Sequence, residues 1–344
     1  MELYPYSPLL VQDSVLAWYS GKAEVPINTM KRETSSPYET SLSDESDSLD
    51  VRRSGQEATV YEKIVVGFDG SELSKGALIE SSNWIRRHGG KIVLVHAVYF
   101  DEEEFANAPE QREKRFELGK KICYQTREKT FSEFGVDVES LVCEGEPPEV
   151  IVNIAQEKKA DLIALGTYGR KGLKRLFLGS VTSSVMVNAT CDVLVVKKPC
   201  NECTGAYSSI LLPFDGSEFS KKALERACQL SKIDNAEITV LYVIPRYEEM
   251  IGFLRTESIK KSMMHEAEKI LNTARGIASK HGIPIKTETQ EGQADAEITG
   301  TASRLKTDVI IMGTYGWRGV SRAIMGSTTE RVIIHAPCPI LAVR

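Results

Sequence analysis

Lys63-Ile-Val-Val-Gly-Phe-Asp69-Gly-Ser71 is a short apolar run that ends in an acid and a turn. It returns 146 residues later as Ser209-Ile-Leu-Leu-Pro-Phe-Asp215-Gly-Ser217. Asp161-Leu-Ile-Ala-Leu-Gly-Thr-Tyr-Gly169 returns 147 residues later as Asp308-Val-Ile-Ile-Met-Gly-Thr-Tyr-Gly316, and Leu178-Gly-Ser180 returns as Met325-Gly-Ser327. Three blocks repeated in one order at nearly one spacing mark a duplication. The period is a domain length, far above the roughly 20–50 residues of a solenoid repeat.

Around those blocks each copy has the same rhythm. In the first, the apolar run 63–68 leads into a helical pattern from Leu73 to about His88, then a second apolar run over 92–98. A charged helix is expected over 110–134 and an alternating strand over Val136–Val142. Pro147-Pro148 opens a helix reaching Lys159, as Pro does at a first helical turn. Leu162–Gly166 reads as a strand, Ser180–Asn188 as a helix and Val193–Lys197 as the last strand; the second copy repeats this from Ile210 to Arg344, with its charged helix near 256–281. Short, continuously apolar strands alternating with helices imply a parallel sheet covered on both faces. The expected fold is α/β: two tandem five-stranded, doubly wound parallel-sheet domains with strand order 3-2-1-4-5. The boundaries read as a tail over 1–58, domains over 59–199 and 208–344, and a linker over 200–207. So short a linker, with an apolar last strand in each copy, suggests that the two domains pair within the chain.

Composition agrees. A chain of 344 residues, 42% apolar, with 25 Gly and 13 Pro, is that of an ordinary globular protein of about two domains. No apolar run approaches the roughly 18 residues of a membrane helix, and the N-terminus lacks a basic region followed by an apolar core, so neither membrane nor secretory signal is expected. Seven scattered cysteines make no disulfide framework. These readings point to a cytoplasmic chain. Of its 43 basic and 48 acidic residues, 5 and 10 lie in residues 1–58, which leaves the rest neutral with 38 of each. A neutral body lacks the basic excess that nucleic-acid binding draws on. Ser35–Asp50, with six Ser and five acids, is too polar to offset the entropy of ordering and reads as disordered.

Where the strands end, chemistry gathers. Strand 1 of each copy finishes in Asp69 or Asp215, and strand 4 in Gly166-Thr-Tyr-Gly169 or Gly313-Thr-Tyr-Gly316. After nine intervening residues Gly179-Ser180 or Gly326-Ser327 opens a helix. In an order of 3-2-1-4-5 the crevice between strands 1 and 4 is the topological switch point, where ligands bind. Glycines there admit a bulky anion, and a helix N-terminus offers free N–H groups and the positive end of its dipole. A carboxylate suits a nucleoside, since it would repel phosphate. Lys171, Lys174 and Arg175, or Arg318 and Arg322, could neutralise phosphates from outside. There is no G-x-x-x-x-G-K-[ST], and no G-x-G-x-x-G follows the first strand, so neither a P-loop nor a dinucleotide oxidoreductase is indicated.

These residues resemble the universal stress protein family in its tandem form, over about residues 60–199 and 208–344. The family's nucleotide signature, G-2x-G-9x-G-[S/T], is matched by Gly166, Gly169, Gly179 and Ser180 and again by Gly313, Gly316, Gly326 and Ser327. The resemblance implies that Asp69 and Asp215 contact the nucleoside. It implies too that Leu165 with Ala97, and Met312 with Val243, flank the base, and that Val181 and Thr328 add phosphate contacts. ATP, or AMP or ADP, is the implied ligand, with Mg2+ as a companion ion, and the family's last strand is its usual dimerising edge, which also allows a homodimer. Gly67 stands where the family often has the proline that Pro213 keeps, and Ala97 is smaller than the usual Val. On this basis copy two favours the base and copy one, with more loop cations, the phosphates.

The functional expectation is a nucleotide-binding regulatory module in stress response. A slow ATPase using the same pocket is one alternative, and a pairing scaffold with empty glycine turns is another. Cys200-Asn-Glu-Cys203 has no second ligand pair and reads as two ordinary linker thiols. His96 reads as a packed core side chain and His335 as a helix C-terminal residue.

Overall fold

A computed structural model describes residues 60–100, 109–167, 178–197, 205–245, 257–314 and 325–344. The tail, the linker cysteines Cys200 and Cys203, Gly169, Gly316 and the loop cations at 171, 174, 175, 318 and 322 lie outside them.

The first half runs β1 (Lys63–Gly67), α1 (Glu72–His88), β2 (Lys91–Val98), α2 (Pro109–Phe134), β3 (Val138–Glu144), α3 (Pro147–Glu157), β4 (Leu162–Gly166), α4 (Ser180–Asn188) and β5 (Asp192–Val196). The second half repeats it as β6 (Ser209–Pro213), α5 (Glu218–Asp234), β7 (Glu237–Pro245), α6 (Glu257–Lys280), β8 (Ile285–Gly292), α7 (Ala294–Leu305), β9 (Val309–Gly313), α8 (Ser327–His335) and β10 (Ile340–Val343). All strands join one sheet in the order β3-β2-β1-β4-β5-β10-β9-β6-β7-β8. Each half is therefore a parallel 3-2-1-4-5 sheet, doubly wound as its strand alternation implied.

The halves meet through their last strands. β5 and β10 pair antiparallel, with Val193 opposite Ala342, Leu194 opposite Leu341 and Val195 opposite Ile340. By the 147-residue repeat Leu194 and Leu341 are equivalent positions, so the local two-fold axis runs between them. The edge strand of each half is thereby closed off, which removes two unpaired rows of backbone donors and acceptors.

Two apolar layers extend across both halves. One packs Ile64, Val66, Leu94, Leu212 and Leu341 against Trp84, Cys123, Leu224 and Ala274 of the long helices. The other packs Val65, Val95, Ile163, Leu211 and Ile310 against Ile154, Val185, Ile298 and Val332. The alternation of Ile64 and Val66 against Val65 is the period-two geometry of a strand buried on both faces. Each such side chain, fully buried, contributes roughly 1.5–3 kcal/mol. At the N-terminal ends of the strands, Asp161 Oδ2 accepts from the amides of Glu62 and Lys63, at 3.1 and 2.9 Å, and Asp308 does the same for Ser208 and Ser209, at 2.7 and 2.9 Å.

Several element ends shift by one or two residues from the sequence reading, and two of the shifts have a visible cause. The third strand starts at Val138, not Val136, because Gly135 turns the chain at φ +67 and gives its N–H to Phe131 O at 2.8 Å, closing α2. Helix α3 stops at Glu157, two residues before Lys159, which lies in the left-handed region at φ +53. Five cysteines are free thiols among the described residues, at 123, 143, 191, 228 and 338. Burial holds them protonated: Cys123 and Cys228 are pushed up to about 11, and Cys191 and Cys338 to about 12. Among the described residues no helix is long and apolar enough to cross a membrane.

Candidate functional site

The carboxyl end of β1 turns sharply. Gly70 takes φ +80 and its counterpart Gly216 φ +79, a conformation open to glycine at little cost. That turn aims Asp69 Oδ1 at the Ser71 amide, 2.9 Å away, and Asp215 Oδ1 at the Ser217 amide at the same distance. Ser71 and Ser217 then cap α1 and α5, accepting from the amides of Ser74 and Ser220 at 3.3 and 3.2 Å. Asp-Gly-Ser is thus an acid, a turn and a helix cap in three residues. Both carboxylates stay half-buried at the strand ends.

Gly166 and Gly313 end the neighbouring strands, and they owe their identity to packing. A Cβ on Gly166 would sit 2.7 Å from the main-chain carbon of Leu73, and one on Gly313 would sit 2.6 Å from Cβ of Phe219 and 2.8 Å from its main-chain carbon. The first turn of the capped helix lies directly against this glycine. The sequence reading, which took it as a place for an anion to approach, missed that reason.

The helix that follows the loop is tied back to the same strand end. Thr182 Oγ1 donates to Gly166 O at 2.7 Å, and Thr329 Oγ1 to Gly313 O at 3.3 Å. Gly179 N–H bonds to Thr167 O at 2.9 Å, and Gly326 N–H to Thr314 O at 3.4 Å. Asp69, Gly166, Gly179, Ser180 and Val181 therefore converge on one strand-end region, as do Asp215, Gly313, Gly326, Ser327 and Thr328. Thr182 and Thr329 were not singled out from sequence; their place two residues beyond the signature serine in both copies was the available signal.

The N-termini of α4 and α8 carry no side-chain cap. The first intrahelical bonds are Ser183 N–H to Gly179 O and Glu330 N–H to Gly326 O. The amides before them are the ones a helix leaves without an internal acceptor, and Ser180 and Ser327 are exposed there. Gly179 and Gly326 have φ of −61, an ordinary value, so the backbone conformation does not demand glycine at either. Beneath each helix start, Thr167 and Thr314 are fully buried, and their hydroxyls have no hydrogen-bond partner among the described residues. A buried hydroxyl left unpaired costs about 1–3 kcal/mol, and here it recurs at equivalent positions.

The residues expected at the base are split. Ala97 and Val243 are half-buried near the ends of their strands, whereas Leu165 and Met312 are buried, at 3% and 5% exposure, and form the floor. Leu165 folds over Gly67, where a Cβ would come 2.5 Å from its Cδ2. His96 does more than fill the core: its Nδ1 donates to Phe68 O at 2.7 Å and so braces the residue before Asp69. The second half has Tyr242 at that position. His335 closes α8 with Nδ1 donating to Arg331 O at 2.9 Å. Among the described residues no cluster of three or more His, Cys, Asp or Glu could hold a metal ion.

The model of the universal stress protein family matches residues 60–197 and again 206–344. A universal stress protein of Methanocaldococcus jannaschii is 36% identical over 141 residues, covering 40% of this chain and 82% of that protein. The crystal structure of a universal stress protein from Archaeoglobus fulgidus covers 83% of this chain and 98% of its own, with a TM-score of 0.61 and 19% identity. A functionally unknown protein from Pseudomonas aeruginosa PAO1 covers 82% and 92%, with a TM-score of 0.57 and 18% identity. The two solved structures speak for the fold; the two family matches and the archaeal relative decide kinship. The chain belongs to the universal stress protein family and carries that family's domain twice in tandem.

Proposed function

We propose that each half binds an adenine nucleotide, ATP or its mono- or diphosphate, and that occupancy sets a regulatory state of the chain in stress response. The polyphosphate lies against the N-terminus of α4 or α8, and the nucleoside beside Asp69 or Asp215. The carrying observation is a donor set repeated in both halves and without partners among the described residues: an uncapped helix start, an exposed serine on it and a buried threonine hydroxyl below. Amides and hydroxyls that converge at a helix N-terminus suit an anion. A carboxylate set apart on the neighbouring strand suits sugar hydroxyls, which donate to it. Val181 and Thr328 extend the row of amides. Mg2+ would accompany the phosphates, with no protein ligand assigned to it. For occupancy to regulate, two arrangements of the chain must bind the nucleotide unequally.

Freshly purified chain is denatured and the supernatant analysed by nucleotide chromatography, and stripped chain is titrated calorimetrically with ATP. Up to two adenine nucleotides per chain are expected. Gly179→Val and Gly326→Val each remove one site while the chain stays folded, because φ at both positions suits any residue. No released nucleotide together with no heat of binding would overturn the reading and leave a pairing scaffold.

A further inference from the structure

The seam between the halves carries a set of buried polar contacts that apolar strand pairing does not require. Asp192, at the start of β5, accepts from Tyr61 Oη at 2.7 Å, from the Arg344 amide at 3.1 Å, and pairs with Arg226 Nε at 2.8 Å. Its side chain is 4% exposed, and Arg226 belongs to the other half. Across the axis, His88 Nε2 lies 3.2 Å from Asp234 Oδ1 and 3.0 Å from Gly205 O. The carbonyl of Gly205 accepts the hydrogen bond from that nitrogen, and the Asp234 carboxylate is a charge contact beside it. The Asp234 side chain is fully buried, accepts from the Tyr207 amide at 3.1 Å and has Arg87 at 3.5 Å.

The 146- and 147-residue repeats show which positions these are. Glu80 is equivalent to Arg226, His88 to Asp234, Tyr61 to Tyr207 and Asp192 to Pro339. The geometry follows the axis: Arg226 lies over the Tyr61 ring at 5.3 Å, and Glu80 hydrogen-bonds Tyr207. His88 and Asp234 are equivalent residues that touch, as only residues beside a two-fold axis can.

We propose that this seam is a partner code: the last-strand face of each half accepts the unlike half and rejects a copy of itself. Joining two first halves would set His88 against His88 and place Asp192 opposite Glu80, with no guanidinium. Joining two second halves would set buried Asp234 against Asp234 and leave Arg226 facing Pro339, which has no side-chain acceptor. Buried charges stripped of their partners are what such pairings would contain, and they discriminate far more strongly than lost apolar area. The partner that fits the first half is a domain of this family with an arginine at the position of Glu80 and a carboxylate at that of His88. Within this molecule that is its own second half.

The full chain is melted at pH 7 as wild type, His88→Asp, Asp234→His and the double exchange. Each single variant recreates one like-with-like contact, and Tm should fall by about 5 °C or more. The double exchange restores opposite groups at equivalent positions and should recover most of the loss. Partner choice is read separately by oxidation of Leu194→Cys, Leu341→Cys and the pair in the otherwise native chain. The pair should link within one chain, and neither single variant should give more linked dimer than wild type. A double exchange no more stable than the worse single variant would overturn the code. So would linked dimers from Leu194→Cys alone, since residue 194 faces its own copy only when like halves pair; this arm stands even if the charge variants fail to fold.

Discussion

The two halves are copies of one design, and comparing them separates what the strand-end frame requires from what each half has altered. Asp-Gly-Ser with its positive-φ glycine, the strand-4 glycine under the first helix turn, the buried threonine after it and the threonine tied back to the strand recur in both. The floor differs: Gly67 with Leu165 in one half, Pro213 with Met312 in the other. The Leu165 side chain occupies space that any Cβ at residue 67 would need. The tie from threonine to strand is shorter in the first half, 2.7 against 3.3 Å. The seam residues differ most: Glu80 stands where the other half has Arg226, His88 where it has Asp234 and Asp192 where it has Pro339, although Tyr61 and Tyr207 are alike. Duplicated parts that must do the same thing stayed alike, and parts that must meet each other became complementary.

The strongest way to break this comparison is to touch the shared frame. Gly166→Ala and Gly313→Ala each drive a Cβ into main-chain or Cβ atoms of the helix turn above, which cannot swing aside as a side-chain tip can. Each should cost at least about 3 kcal/mol in urea melts of the full chain, at the upper end of overpacking penalties. Gly67→Ala meets only the ends of Leu165 and Ile151 and should cost less. If one half accepted alanine freely at the strand-4 glycine, the two frames would not be equivalent.

Glu80 gives a second, smaller test, one that only the first half can show. Burial raises its carboxyl from an ordinary 4.5 to about 7, partly opposed by the hydrogen bond from Tyr207, with Asp308 pushing in the same direction as burial. The native chain therefore holds a proton that the unfolded chain releases. Stability falls as pH rises from about 4.5 to about 7, and the cost, about 3 kcal/mol, is complete above that window. Glu80→Gln keeps a group able to bond Tyr207 without the charge. It should stabilise the chain by about 2 kcal/mol at pH 8 and leave it nearly unchanged at pH 4. An equal effect at both values would mean that Glu80 stays ionised in the folded chain.

Much of this was legible in residues alone, for physical reasons. Parallel strands buried on both faces are continuous apolar runs, and the repeat of Asp69-Gly-Ser71 as Asp215-Gly-Ser217 exposed the duplication without any structural knowledge. Helix ends were less legible: Lys159 looked helical by composition, and only its left-handed backbone stopped α3 short. The site was legible as a set of positions but not as a set of reasons. The turn at Leu73 above Gly166 gives that glycine a packing reason that no residue pattern announced, and the same holds for Leu165, which the family resemblance implied at the base and which lies over Gly67. The seam could not be read at all beyond the pairing of last strands. His88 and Asp234 are ordinary residues at helix C-termini, and nothing local says that they meet.

The smallest test sharpens the proposed site itself. Helix α8 has Glu330 in its first turn where the equivalent position of α4 is Ser183, and the first turn of α4 has no acid. A carboxylate there offsets the positive end of the helix dipole that a polyphosphate would use, an effect of about 0.3–1 kcal/mol at an exposed site. Glu330→Ser should therefore tighten nucleotide binding by the second half about 2- to 5-fold at low salt, and Ser183→Glu should weaken the first half by a like factor. Calorimetric titration of each variant with ATP at low and at high ionic strength reads both, since the difference should shrink as salt screens it. Two unaltered affinities would mean that the bound anion, if there is one, does not lie at these helix starts, and the shared frame would then have to be explained by packing alone.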